Sequence, residues 1–136
     1  MGFRRKGREI AVQILYQMEL KSASPKEVQG LFWKGEEAAT EEVRKFATDL
    51  VDGIYRNRIE IDHLIEKHSI HWKLARMAVV DRNILRLGVY ELLYLHDVPT
   101  SVILNEAIEI AKKFGTEDSG SFINGILDNT AKEVRK

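Results

Sequence analysis

Four basic side chains, Arg4, Arg5, Lys6 and Arg8, fall within the first eight residues, and no acid lies among them. Such a run can neutralise phosphates, the sequence-independent part of nucleic-acid binding. It can equally be a solvated, frayed end without a partner. If the segment is helical, at about 100° per residue, Ile10, Ala11, Ile14 and Met18 share one face, with Arg5, Val12 and Tyr16 nearly opposite. Tyr16 then either stacks on a base beside the arginines or packs in a helix covered on both sides. A second aromatic, Phe122, stands about 100° from the apolar face of its own helix, next to Gly120 and Ser121. Near a helix start, Phe122 can stack while Ser121 or free backbone amides bind a phosphate or sugar edge. The plainer reading puts Phe122 at the core margin. Asp118 is expected to cap that helix, or to accept from a base edge.

Other chemistry finds no frame. His63, His68, His71 and His96 do not form the i, i+4 pair with a nearby carboxylate that a helical metal site uses, and the chain has no cysteine. Glycine-rich nucleotide loops and the Gly-x-Ser-x-Gly nucleophile turn do not occur in the sequence. Glu91 lies in an apolar strip between Leu87 and Leu95 and is read as a structural carboxylate supplied with donors. Neither a metal, a cofactor nor a catalytic residue is therefore expected.

The elements that must position these groups read as helices throughout. Ser24-Pro25-Lys26-Glu27 is a capping box with proline at the first helical position, and Thr40-Glu41-Glu42 opens another helix. Val43, Phe46, Ala47, Leu50, Val51 and Ile54 repeat at three- and four-residue spacing behind it. Asn57 with Glu60 predicts a break and re-cap. From Met77 to His96 apolar residues line two sides of a helix, which is the pattern of a central one. Pro99 and Thr100 open the next, Phe114-Gly115 closes it, and a last helix buries Ile123, Ile126, Leu127, Thr130 and Val134. About seven helices and no sheet are predicted, in a single domain over 1–136 with subdomains of roughly 1–75 and 76–136.

The chain has 136 residues, 44% of them hydrophobic and 31% charged, an ordinary globular balance. Its apolar runs are too short to span a bilayer. With 21 basic and 21 acidic residues the net charge is zero. A polycation that coats nucleic acid is excluded, and what matters is segregation: a basic start against four glutamates from Glu36 to Glu42. Absence of cysteine and of a signal-like apolar run points to the cytoplasm.

Several strings carry a resemblance: Arg4-Arg5-Lys6-Gly7-Arg8-Glu9, Gln13-Ile14-Leu15-Tyr16, the run from Asp81 to Leu92, Asp97-Val98-Pro99, the run from Asn105 to Lys112, and that from Phe114 to Asp128. In this order and spacing the chain resembles the NusB family of bacterial transcription antitermination factors, most strongly from Asp81 to Asp128 and least between Lys21 and Trp72. The resemblance implies two antiparallel three-helix bundles sharing a core. It also implies binding of boxA RNA in nascent ribosomal transcripts together with the ribosomal protein NusE, within the antitermination complex on RNA polymerase. Carried over by position, Arg4, Arg5, Lys6, Arg8, Tyr16, Asp118, Ser121 and Phe122 would face RNA, and Asp81 would meet the protein partner. Gly7 stands where the family often has alanine; it is expected to loosen the first turn by up to about 1 kcal/mol, leaving a mobile arm that orders on RNA. A monomer or a homodimer fits. Two alternatives stay open: a protein-binding helical adaptor, and a detached accessory domain of a ribosomal RNA methyltransferase.

Overall fold

The computed structural model describes residues 2–35 and 40–136; Glu36 and Glu37, half of the expected acidic run, lie outside them. Among the described residues there are seven α-helices, one short 3₁₀ turn and no strand. Contacts divide the chain into two compact units, Met1–Arg56 and Asn57–Lys136. The expected division near residue 75 falls inside the second unit, because the fourth helix packs against the fifth and seventh.

In the first unit, α1 (Gly2–Lys21) packs against α2 (Pro25–Gly35) and α3 (Glu41–Arg56). The capping box forms as its spacing requires: Glu27 N–H donates to Ser24 Oγ at 3.3 Å, and Ser24 N–H donates to Glu27 Oε1 at 3.3 Å. Thr40 caps α3 through the Val43 N–H at 3.2 Å. The α3 face buries Val43, Ala47, Leu50, Val51 and Ile54 at its three- and four-residue spacing.

The second unit holds α4 (Arg58–His68), the 3₁₀ turn Leu74–Arg76, α5 (Val79–Tyr94), α6 (Thr100–Phe114) and α7 (Ser119–Val134). Helix α5 is central and meets α4, α6 and α7; Ile84, Leu85, Leu87, Val89 and Leu92 are at most 1% exposed. Glu91 is buried among them, and no buried side-chain polar atom of the described residues lacks a partner. Arg86 grips Asp62 of α4 with two hydrogen bonds, 2.8 and 3.2 Å long, a planar fork on a carboxylate. The break at Asn57 occurs, but without the expected re-cap: Asn57 makes no side-chain cap bond. Glu60 instead accepts the Tyr94 hydroxyl at 2.5 Å, so a partner on α5 draws its carboxylate away from the helix start. At the far end, Arg135 donates to the backbone carbonyls of Glu91, Leu92, Leu95 and Val98 at 2.6–3.1 Å. It thereby adds side-chain donors to carbonyls of the last turn of α5 and of the turn that follows it, where helical partners run out. No helix of the described residues is long and apolar enough to cross a membrane.

Candidate nucleic-acid interface

The basic run is not a loose arm. Helix α1 begins at Gly2, so Arg4, Arg5 and Lys6 stand exposed on its first turns. Arg8 does not join them. It is 3% exposed, with its guanidinium 5.6 Å from the Phe46 ring centroid of α3. Phe3 meets the same ring edge-on at 6.1 Å and 83°, and Arg4 lies 5.9 Å from the Phe3 centroid. Gly7 makes this approach possible, since a Cβ there would sit 2.6 Å from Phe46 Cδ2. The expectation that Gly7 loosens the arm is thus replaced: its missing side chain is filled by a ring of α3. Along the strip opposite Ile14, Val12 is 2% exposed while Tyr16 is half-buried. The helix is therefore covered on that side at its middle, as the packing alternative held, with part of the Tyr16 ring still accessible.

The start of α7 is built by a serine that was not singled out. Ser119, 1% exposed, donates its hydroxyl to Asp81 Oδ1 of α5 at 2.7 Å and accepts the Thr116 N–H at 2.9 Å. With that proton committed to Asp81, the Thr116 hydroxyl, 3.2 Å away, is the donor of the remaining contact. Asp81 thus serves the inside of its own unit, while remaining half-exposed. Asp118, the expected cap, makes no side-chain cap bond. The local turn is closed by Ser119 instead, which leaves the exposed Asp118 carboxylate turned to other uses. Gly115 completes the arrangement. Its backbone, φ −96° and ψ −165°, suits any residue, but a Cβ would lie 2.5 Å from Ser119 Oγ.

Two surface cavities flank this helix start. One, of about 540 Å³, is bounded by Lys112, Glu117, Gly120, Ser121 and Asn124. The other, of about 230 Å³, is bounded by Trp72, Arg76, Asp81, Asp118, Ser119 and Phe122. Phe122 is half-buried at the wall of the second cavity, and Ser121 is exposed at the first. The structure therefore gathers Asp81, Asp118 and Phe122 around one hollow and sends Ser121 to another. Arg4, Arg5, Lys6, Arg8 and Tyr16 belong to the first unit, and Asp81, Asp118, Ser121 and Phe122 to the second. Sequence reasoning missed Trp72 and Arg76. The signal available was an aromatic and an arginine in a short stretch between two helical periods, followed by Met77 where the apolar pattern resumes.

Electrostatics outside the cavities singles out two groups. Hydrogen bonds from Lys67 and His68 hold the Glu133 carboxyl below its ordinary pKa. The hydrogen bond to Glu60, burial and the Glu60 charge together raise the Tyr94 phenol. Neither lines a cavity described above, and both tie helices of the second unit together. No group of His, Asp and Glu side chains placed to hold a metal occurs among the described residues.

A family model described as the NusB family matches residues 5–132. The transcription antitermination protein NusB of Myxococcus xanthus is 47% identical over 139 residues, covering 100% of this chain and 99% of that one. NusB of Geobacter sulfurreducens is 49% identical over 134 residues, with 98% and 97% covered. Among solved structures, T. maritima NusB superposes with a TM-score of 0.88 at 41% identity, over 96% of this chain and 91% of that one. A chain from the structure of antitermination factors NusB and NusE in complex with dsRNA gives 0.89 at 32% identity, over 98% of each.

Proposed function

The chain belongs to the NusB family, and from that premise we infer that it is a transcription antitermination factor that binds RNA jointly with NusE. The observation that supports this is its likeness, over 98% of both chains, to a chain from the structure of NusB and NusE in complex with dsRNA. The RNA is boxA of nascent ribosomal transcripts, met in the cytoplasm within the antitermination complex on RNA polymerase. The protein acts by binding and performs no catalysis of its own.

Arg4, Arg5 and Lys6 supply phosphate neutralisation, which fixes position and carries no sequence information. Tyr16, Asp118, Ser121 and Phe122 supply the reading, by stacking and by hydrogen bonds to base or sugar edges of an unpaired strand. Arg8, held against Phe46, contributes by seating the first turns of α1. Asp81 contributes by fixing Ser119 beneath Asp118 and Phe122, and its remaining exposed edge is the part offered to the protein partner. Three exposed cations give modest affinity alone, and NusE raises it by adding surface to the same RNA. The test is filter binding of boxA RNA against a scrambled sequence, with and without NusE. Preference for boxA that grows with NusE is expected; equal binding of both RNAs in the presence of NusE refutes the assignment.

A further inference from the structure

We propose that the 230 Å³ hollow bounded by Trp72 and Phe122 receives one flipped-out base of the bound strand, with Trp72 as a second stacking wall. The inference rests on the RNA-binding reading above and goes beyond it by placing a base in a particular cavity.

The size decides the occupant first. Pockets for drug-sized ligands run to about 300–1,000 Å³, so a hollow of about 230 Å³ suits a single flat ring system. Its walls decide next. Trp72 remains 52% exposed although it is a large aromatic, and Phe122, which lines the same hollow, is half-buried at the start of α7. Aromatic faces accept any base by stacking. The rim adds discrimination: Arg76 is exposed there for a phosphate, and Asp118, free of any capping duty, offers a carboxylate to an exocyclic amine. Asp81 Oδ1 is already taken by Ser119. Adenine, cytosine and guanine, which carry such an amine on the Watson–Crick edge, are therefore favoured over uracil.

The backbone that carries this wall is also held in place before any ligand arrives. The Trp72 carbonyl accepts the hydroxyl of the buried Ser69 at 3.0 Å. The following turn is pinned from two sides: Leu74 N–H donates to Glu66 Oε2 at 3.0 Å, and Arg82 reaches the carbonyls of Leu74 and Met77 at 3.3 and 3.1 Å. A base that covers the indole therefore has to order its side-chain torsions but not the backbone beneath it.

Trp72 reports on the hollow directly. In a Trp33→Phe variant it is the sole tryptophan, and its emission is followed while boxA RNA is titrated in with NusE present. Quenching that saturates with binding is expected, and it is lost in the added Phe122→Ala variant at RNA concentrations that still saturate it. In filter binding, Trp72→Ala weakens boxA binding about tenfold or more, whereas Trp72→Phe retains most of it. Urea melts of both variants stay near wild type, as the exposed position of Trp72 dictates. RNA that binds with unchanged Trp72 emission, and with equal affinity for wild type and Trp72→Ala, overturns the pocket and leaves the RNA-binding reading standing. Failure of the wild type to bind RNA with NusE present overturns both.

Discussion

Ser119→Ala is the sharpest probe of how the candidate site is held. The hydroxyl of this 1% exposed residue donates to the Asp81 carboxylate and accepts two donors from Thr116. A hydrogen bond to a charged group contributes about 1.5–3 kcal/mol. The Thr116 amide and the Asp81 carboxylate sit near enough to solvent to recover water after the change, so the loss should settle near 2 kcal/mol. Urea denaturation should show a lower midpoint at unchanged m. Asp81→Ala removes the other end of the same bond, so the double variant should cost less than the sum of the singles, with a coupling of about 1 kcal/mol or more. Additivity within about 0.3 kcal/mol would refute the claim that Ser119 holds α7 to α5. The boxA affinity of Ser119→Ala should fall, but less than that of Phe122→Ala, because the ring remains.

Replacing Arg4, Arg5 and Lys6 together by alanine should flatten the dependence of log K on log salt by about 2, at about 0.7 per phosphate contact on a single strand. Arg8→Ala should leave the slope alone and lower stability instead, as its contact with Phe46 requires. Gly7→Ala sets a gain of about 1 kcal/mol in helix propensity against overlap with Phe46 costing about 1–3 kcal/mol. Net destabilisation is expected, turning to stabilisation in a Phe46→Ala background, both read by urea melts. Lowering pH should withdraw the stabilisation from Glu133. Its folded pKa is depressed, so the contribution is present above the ordinary glutamate range and is lost as pH falls through the folded value. Carbon-13 NMR titration of its carboxyl should show a low midpoint that rises in Lys67→Met.

What the sequence made legible was local. The Ser24 capping box, the Thr40 cap and the repeat from Val43 to Ile54 each close within a few residues, so spacing is enough to read them. What it hid was decided across the fold. Arg8 belongs to a charged run by type, yet an α3 ring covers it. Gly7 looked costly to a helix until the ring occupying its space was known. Asn57 and Glu60 have capping spacing, but Tyr94, more than thirty residues on, takes the Glu60 carboxylate. Asp118 is a good capping type at the N-cap position of α7 yet makes no side-chain cap bond, and Ser119 beside it is turned inward to Asp81, a partner 38 residues away in the sequence. Trp72 falls between two periodic segments, where no helical wheel gives its facing.

Arg135 has a consequence for motion. Helix ends are where amides exchange fastest with solvent, because the last turn opens without disturbing the rest. In α7 that turn ends in a guanidinium spread over four carbonyls, two in the last turn of α5 and two in the α5–α6 connection, and the Arg135 amide itself donates to Ala131 at 2.8 Å. Opening it means surrendering those bonds together. Deuterium uptake at the end of α7 should therefore lag behind that of an ordinary helix end and rise in step with the end of α5. Arg135→Lys, which puts a point charge where a planar fork was, should let the two ends exchange independently.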